Sequence, residues 1–237
     1  MIQNHLRRIP FLSLTFLVVG VAVLMTQPLR SQSLVGNGER FHLGLVLGTN
    51  LAQIDGDPYK GYRKWGLHTG IEGFASLKKN RSLSVGVLFN QLGAYPSPTE
   101  QKRDGENYLD FRLTYLEIPL VLHFLSGKKE NYYTNDLQIG LSMSRLLSTR
   151  ITSTRIVDSG GPSNPQPFFD IVDRQEVFRD FTPNVLLAYS RYLHPNWGLS
   201  LRHTYALRSF FKPDDQDDNL EPLRSFFFSL SLTYALR

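Results

Sequence analysis

The chain has 237 residues, of which 20% are charged and 41% hydrophobic, and it contains no cysteine. This composition excludes a disordered acidic chain, a disulfide-stapled scaffold, a Cys-based metal site and a lipid anchor on an acylated cysteine. The formal net charge is +5, but the arginines are dispersed and the sequence holds no phosphate loop, dinucleotide fingerprint or nucleic-acid module. We therefore expect no nucleic-acid partner.

The first 33 residues have the pattern of a secretory signal peptide. Arg7 and Arg8 precede an apolar run from Ile9 to Met25, and small polar residues follow around Ser31. We expect cleavage to leave residues 34–237 as one domain, with the net charge lowered from +5 to +2. An uncleaved membrane anchor remains the alternative, because the run is only slightly shorter than the roughly 20 residues that span a bilayer.

Beyond residue 40 the apolar residues alternate with small or polar ones at period two, which predicts β-strands and no long helix. Each run has one large apolar face and one small or polar face. In chain order we predict about eight strands, at residues 41–48, 65–72, 83–90, 109–124, 137–144, 181–192, 197–208 and 225–234.

The fourth run changes phase. Its apolar face passes from the odd positions 109–115 to the even positions 116–124. We interpret this change as a β-bulge near Tyr115 and Leu116, because one extra residue reverses the alternation. Pro119, which cannot donate to a strand ladder, suits such an irregular stretch.

The connections between the predicted strands alternate in length. Three short ones fall at residues 78–81, 126–131 and 193–196, and four long ones at 55–64, 94–107, 152–177 and 212–222. A single antiparallel up-and-down β-barrel with both termini beside the short turns produces this alternation. In outer-membrane barrels the short turns face the periplasm.

The polar face distinguishes a membrane barrel from a soluble one. Every lysine lies in a predicted turn or loop, while the small face carries Gly, Ser, Asn and scattered Arg or His. A water-facing surface needs more charge, whereas a narrow lumen needs small side chains. We therefore predict an all-β transmembrane barrel at residues 34–237, in the outer membrane of a Gram-negative bacterium, with both termini periplasmic.

Aromatic residues support this prediction, because they fall near the two ends of the predicted strands, as interfacial girdles do. One group, at the periplasmic ends, is Phe41, Phe124, Tyr132, Tyr133, Tyr192, Trp197 and Tyr234. The other, at the opposite ends, is Tyr62, Trp65, Tyr108, Phe111, Phe181, Phe210 and Phe211.

Four stretches resemble the PorT-like outer-membrane β-barrel family of Bacteroidetes-type bacteria. They are Leu43–Leu51, Tyr115–Leu120 with its Tyr-Leu-Glu-Ile-Pro string, Leu137–Gly140 and Arg202–Leu207. In the last stretch His203, Thr204 and Ala206 depart from the family's pattern. The resemblance covers nearly all of the mature chain and implies an eight-stranded barrel, and the family's founding member is associated with type IX protein secretion.

Five charged residues are predicted on or near the inner face, and we refer to them as the lumenal charge ladder: Glu72, Arg112, Glu117, Arg202 and Arg208. A small barrel closes around such groups only if opposite charges pair and hydrogen-bond. We therefore expect a structural role for them, and we predict no catalytic residue, cofactor or metal ligand. The acidic loop Asp214, Asp215, Asp217, Asp218 and Glu221 lacks the spacing of a calcium loop.

The function that we predict is a non-enzymatic outer-membrane barrel, acting as an accessory or scaffold in protein secretion or envelope assembly. Its expected partners are outer-membrane lipid and other envelope or secretion proteins. A small-solute channel is one alternative. A hydrolase built from His68, His203 and Glu72 with a serine is another, although neither Gly-x-Ser-x-Gly nor His-Glu-x-x-His occurs in the sequence.

Overall fold

In the computed structural model, eight consecutive antiparallel strands close into one barrel, with the last strand paired to the first. The structure describes residues 41–57, 59–78, 80–103, 108–129, 132–154, 178–211 and 222–236. The closure of all eight strands confirms the predicted single antiparallel up-and-down β-barrel. The predicted girdle residue Tyr108 begins a strand whose first side chains are not described, and most of the third and fourth long loops, with the acidic residues 214–221, lies outside the described residues.

All strands except β7, which ends two residues earlier than predicted, are longer than their sequence patterns. They are β1 (Phe41–Asp55), β2 (Lys64–Lys78), β3 (Arg81–Leu92), β4 (Tyr108–Lys129), β5 (Tyr132–Thr154), β6 (Phe181–His194), β7 (Trp197–Ala206) and β8 (Arg224–Leu236). We refer to the end of the barrel with the short connections as the turn end and to the opposite end as the loop end. No helix in the described part of the chain is long and apolar enough to cross a membrane.

The large apolar residues point outward and the small polar residues inward. Leu47 and Leu187 are 63% and 56% exposed on the outer face, whereas Asn50 and Ser229 are fully buried in the lumen. A soluble protein would place these side chains the other way round, since apolar surface is buried from water. The pattern matches a barrel whose outer face contacts lipid and whose lumen is filled by its own side chains.

The predicted bulge lies on the neighbouring strand. β4 keeps one alternation throughout, with odd positions inward from Phe111 to His123. The register shift falls between Thr114, opposite Ser148, and Tyr115, opposite Leu146, so that the extra residue is Leu147 of β5. The phase change in the β4 sequence has another cause: the inner face is itself apolar near the loop end.

That apolar inner face belongs to a cluster that fills the loop end of the lumen, which we call the apolar plug. The plug contains strand residues together with loop residues that fold inward: Ala52, Ile54, Tyr59, Leu92, Ala94, Phe111, Leu113, Tyr115, Ile151, Phe178, Phe210, Phe211, Leu223 and Phe227. Phe111, Phe210 and Phe211 were predicted as girdle residues, but each is at most 1% exposed. Sequence position along a strand could not show that they face inward.

Hydrogen bonds hold the loops over the plug. A short helix, α1 (Pro98–Arg103), begins at a capping box: the Glu100 amide donates to Ser97 Oγ and the Ser97 amide to Glu100 Oε2, at 3.1 and 2.7 Å. Lys60 in the β1–β2 loop donates its amide to the other oxygen of Glu100. Burial acts to raise the pKa of Glu100, but these hydrogen bonds hold it below its usual value.

Candidate functional site

A polar network crosses the middle of the lumen beneath the plug. Ser229 donates to Asn50 Oδ1 at 2.6 Å, and Asn50 donates to Asn90 Oδ1 at 2.9 Å. His68 Nδ1 lies 2.6 Å from the same oxygen, and Asn90 Nδ2 donates to Glu117 Oε2 at 2.5 Å. The network therefore joins β8, β1, β2, β3 and β4 through buried side chains. Such a network gives the lumen a specific packing, because each buried polar group needs a partner.

Glu72 and Arg202 form a buried ion pair in the lumen. Arg202 Nη2 donates to Glu72 Oε1 at 2.8 Å, and both side chains are almost fully buried. Glycine at position 86 makes room for this pair, because a Cβ there would lie 2.7 Å from Cγ of Glu72. Glu117, the third buried member of the predicted ladder, accepts from Asn90 through one oxygen, while its second oxygen has no partner among the described residues.

The other two members of the predicted lumenal charge ladder lie elsewhere, so that part of the prediction was wrong. Arg112 is exposed on the outer face, because β4 keeps Phe111 and Leu113 inward on either side of it. Arg208 is exposed in the loop beyond β7, which ends at Ala206. The structure thus brings Glu72, Glu117 and Arg202 into the lumen and leaves Arg112 and Arg208 outside.

A second buried network, nearer the turn end, was not predicted. Ser84 Oγ lies 2.8 Å from His123 Nε2, and His123 Nδ1 lies 2.8 Å from Asp136 Oδ2. These three residues have the order and the distances of a Ser-His-Asp triad. They come from the inner faces of β3, β4 and β5. The only sequence signal for them was a serine, a histidine and an aspartate at inward positions of three successive strands.

The surroundings limit what this triad-like cluster can do. Ser84, His123 and Asp136 are each at most 1% exposed, and the ring of Phe74 packs 5.3 Å from that of His123. Gln138 donates to the Asp136 oxygen that lies beside His123 Nδ1, and also to Ser190. An acyl-transfer enzyme needs space for a substrate carbonyl and donors aimed at its oxyanion. Here the described side chains pack against one another.

The residues of the predicted hydrolase alternative do not meet. His68 is in the central network, whereas His203 is on the outer face, where its ring contacts Phe228 at 4.5 Å and its Nε2 lies 3.4 Å from the hydroxyl of Tyr62. Glu72 is held by Arg202. Among the residues that the structure describes, no group of three or more His, Cys, Asp or Glu side chains could hold a metal ion.

One titratable group in the loops has an unusual environment. Asp57, between β1 and β2, accepts the amide of Tyr59 through Oδ1 at 3.0 Å, while its Oδ2 is buried with no partner among the described residues. Burial raises the pKa of Asp57 to about 8, and the nearby charges of Glu100 and Asp55 act in the same direction. The carboxyl group is therefore mostly protonated at neutral pH.

The closed barrel, the apolar outer face and the filled lumen together define an outer-membrane β-barrel protein. The chain belongs to the family described as "Outer membrane protein beta-barrel domain", whose family model matches residues 26–212. Proteins of that family lie in the outer membrane, where the outer face of the barrel contacts the lipid bilayer. No curated protein sequence matches the chain.

The solved structures to which the chain is similar include bacterial surface and outer-membrane proteins of low sequence identity. Ail, the attachment invasion locus protein of Yersinia pestis, is 10% identical, with 84% of this chain and 100% of Ail covered and a TM-score of 0.44. Neisserial surface protein A is 14% identical, with 84% and 99% covered and a TM-score of 0.41. OprG from Pseudomonas aeruginosa is 8% identical, with 85% and 98% covered and a TM-score of 0.40.

Proposed function

We propose that this chain is a non-enzymatic outer-membrane protein with a closed lumen, which acts through its loops as an accessory or scaffold in protein secretion or envelope assembly. The observation that carries the proposal is the filling of the lumen. Two polar networks occupy its middle and turn end, and the apolar plug occupies its loop end. A protein built in this way offers other molecules its exposed loops and outer face.

The proposed orientation places the loop end outside the cell and both chain termini in the periplasm, after cleavage of residues 1–33. The short connections support it, because short turns face the periplasm in outer-membrane barrels. The proposed link to secretion rests on the resemblance of Tyr115–Leu120 and three other stretches to the PorT-like family.

A small-solute channel is the weaker alternative, because a hydrated path would have to pass the apolar plug. Eight strands enclose an interior just wide enough for side chains. At the loop end that interior holds Phe111, Phe210 and Leu223, each of which is fully buried. Apolar contacts of this kind exclude the water that a conducted ion or solute needs.

The test of the scaffold function is co-purification from outer membranes solubilised in mild detergent. We expect the full-length protein to recover envelope proteins that a variant with a shortened 155–177 loop does not recover, although both variants fold. The same preparations should show no conductance in planar bilayers. Recovery of no other envelope protein, or steady conductance by the wild type, would contradict the proposal.

A lipid- or peptide-directed hydrolase is a second candidate, which the geometry of Ser84, His123 and Asp136 specifically favours. A fluorophosphonate probe, applied to the protein in detergent, distinguishes the two functions. The hydrolase predicts labelling that Ser84→Ala abolishes and Ser82→Ala, a matched change at the next inward position of β3, leaves intact. We expect no labelling of Ser84, because the residue is only 1% exposed.

A further inference from the structure

Two arginines face each other on the outer surface near the loop end of the barrel. Arg112 on β4 and Arg150 on β5 are cross-strand partners, and both side chains are exposed. Residues directly opposite each other in an antiparallel pair have Cβ atoms only about 5 Å apart, and like charges there are destabilising. Within the described ranges neither arginine has an ion-pair partner, and the nearby Asp110 is paired with Lys64.

The β-bulge places a third arginine on the same face. Arg145 and Arg150 are separated by an odd number of positions, so strict alternation would put them on opposite faces of β5. The extra residue Leu147 reverses the alternation between them and turns both outward. Bulges often re-aim side chains beside functional sites. The guanidinium of Arg145 then lies 5.7 Å from the centre of the Phe181 ring.

The three arginines lie just beyond the apolar band of the outer face. Towards the turn end, the outward residues of β4 are Leu116, Ile118, Leu120, Leu122 and Phe124, and those of β5 are Met143, Leu141, Ile139 and Leu137. The position opposite Arg145 is Leu116, four residues from Arg112, so the group extends about 13 Å along the strands. It therefore lies where lipid headgroups meet the barrel.

We propose that Arg112, Arg150 and Arg145 form a binding site for a phosphorylated lipid headgroup of the outer leaflet. A phosphate between Arg112 and Arg150 accepts charge-assisted hydrogen bonds from both guanidinium groups and removes their mutual repulsion. A second phosphate on the same headgroup binds Arg145, while the acyl chains lie along the apolar band. The leaflet follows from the orientation proposed above, but binding of the lipid in detergent does not depend on it.

The first test measures binding of bis-phosphorylated lipid A to the barrel in a zwitterionic detergent, by native mass spectrometry. Arg112→Gln and Arg150→Gln should each weaken binding about tenfold, the loss expected for one charge-assisted hydrogen bond. The control is Arg81→Gln, at the turn end of the outer face, where the guanidinium lies 5.7 Å from the Phe124 ring. It removes the same charge from a comparable environment and should leave binding unchanged.

Three results of this titration would overturn the proposal. The first is an equal weakening of lipid A binding in Arg112→Gln, Arg150→Gln and the control Arg81→Gln. The second is no binding of lipid A by the wild type. The third is binding of inorganic phosphate as strong as that of lipid A, which would identify a site for free anions. Heat-modified migration on gels verifies that each variant folds.

The second test uses the sign of the stability change. In zwitterionic detergent alone, Arg112→Gln should raise the unfolding temperature, because it removes the repulsion between like charges. With lipid A present it should lower that temperature relative to the wild type, because a ligand that binds the folded state stabilises it. A change of the same sign in both conditions would contradict the proposal.

Discussion

At the scale of single residues, the lumen depends on one buried ion pair. Arg202 neutralises Glu72 directly at 2.8 Å, and the buried carboxylate of Glu117 also acts on it electrostatically. Removing one member of a buried pair leaves an uncompensated charge, whereas removing both often costs little. The pair therefore provides a test of whether these charges are structural.

We expect Arg202→Met to lower the free energy of unfolding by about 3 to 5 kcal/mol, because Glu72 then lacks its partner. The double variant with Glu72→Met should recover much of that loss. Urea titration of the detergent-solubilised barrel, followed by tryptophan fluorescence, measures both changes. Additive losses in the double variant would show that the two side chains do not act as a pair.

Asp57 gives the loops a pH dependence whose sign follows from its raised pKa. The unfolded chain ionises this carboxyl group near pH 3.8, whereas the folded chain ionises it near pH 8. Folding therefore binds a proton between these values, so its contribution to stability is greatest below pH 3.8 and is lost as the pH rises towards 8. Above pH 8 the contribution no longer changes.

We expect Asp57→Asn to be more stable than the wild type at pH 8 and equally stable near pH 4, as measured by the unfolding midpoint at each pH. Asp180→Asn, which removes an exposed carboxylate from another loop, is the control and should follow the wild type. A constant difference between Asp57→Asn and the wild type at every pH would argue against a protonated Asp57.

The charged residues also show the limits of sequence reasoning at this scale. The alternation correctly placed Glu72, Glu117 and Arg202 on inward positions. It misplaced Arg112, because a supposed bulge on β4 inverted its face. The Ser84, His123 and Asp136 cluster could not be found in the sequence, since its members are brought together by strand register, which period-two patterns do not specify.

At the scale of elements, all eight strands followed from their alternation, because the outer face must be apolar wherever it meets lipid. The apolar plug could not be predicted from the same alternation. A run whose apolar residues change from odd to even positions, as β4 does between Tyr115 and Leu116, is equally compatible with a bulge and with an apolar lumen. Only the folded loops, which bring Tyr59, Phe178 and Phe210 inward, distinguish the two.

Phe210 is the loop residue that best tests the plug. It is fully buried, its ring meets that of Phe178 edge-on at 5.5 Å, and its backbone bonds to Leu223 and Arg179. We expect Phe210→Ala to cost about 3 to 5 kcal/mol of stability, as for other buried phenylalanines. Phe226→Ala, a half-buried ring on the outer face, should cost less when the two are compared by urea titration. Equal losses would show that the plug contributes no more than ordinary surface contacts.

At the scale of the whole molecule, closure depends on how closely β1 and β8 approach each other. Gly48 lies opposite Ser231 across this seam. A Cβ at Gly48 would lie 2.6 Å from the Cα of Ser231, a contact with backbone that a side-chain rotation cannot relieve. A closed barrel has no free strand edge, which makes it resistant to unfolding, so strain at the seam should lower that resistance.

We expect Gly48→Ala to lower the temperature at which the barrel converts to its unfolded migration on an unboiled gel. Gly73→Ala is the matched control, because a Cβ at Gly73 would meet its nearest atoms at 3.7 Å, an ordinary van der Waals contact. If both variants resist heat as the wild type does, β1 and β8 can separate without cost and the seam is not tightly packed. If Gly73→Ala alone is impaired, the strain lies on the lipid-facing side of β2, and the packing of the outer face controls the stability of the closed barrel.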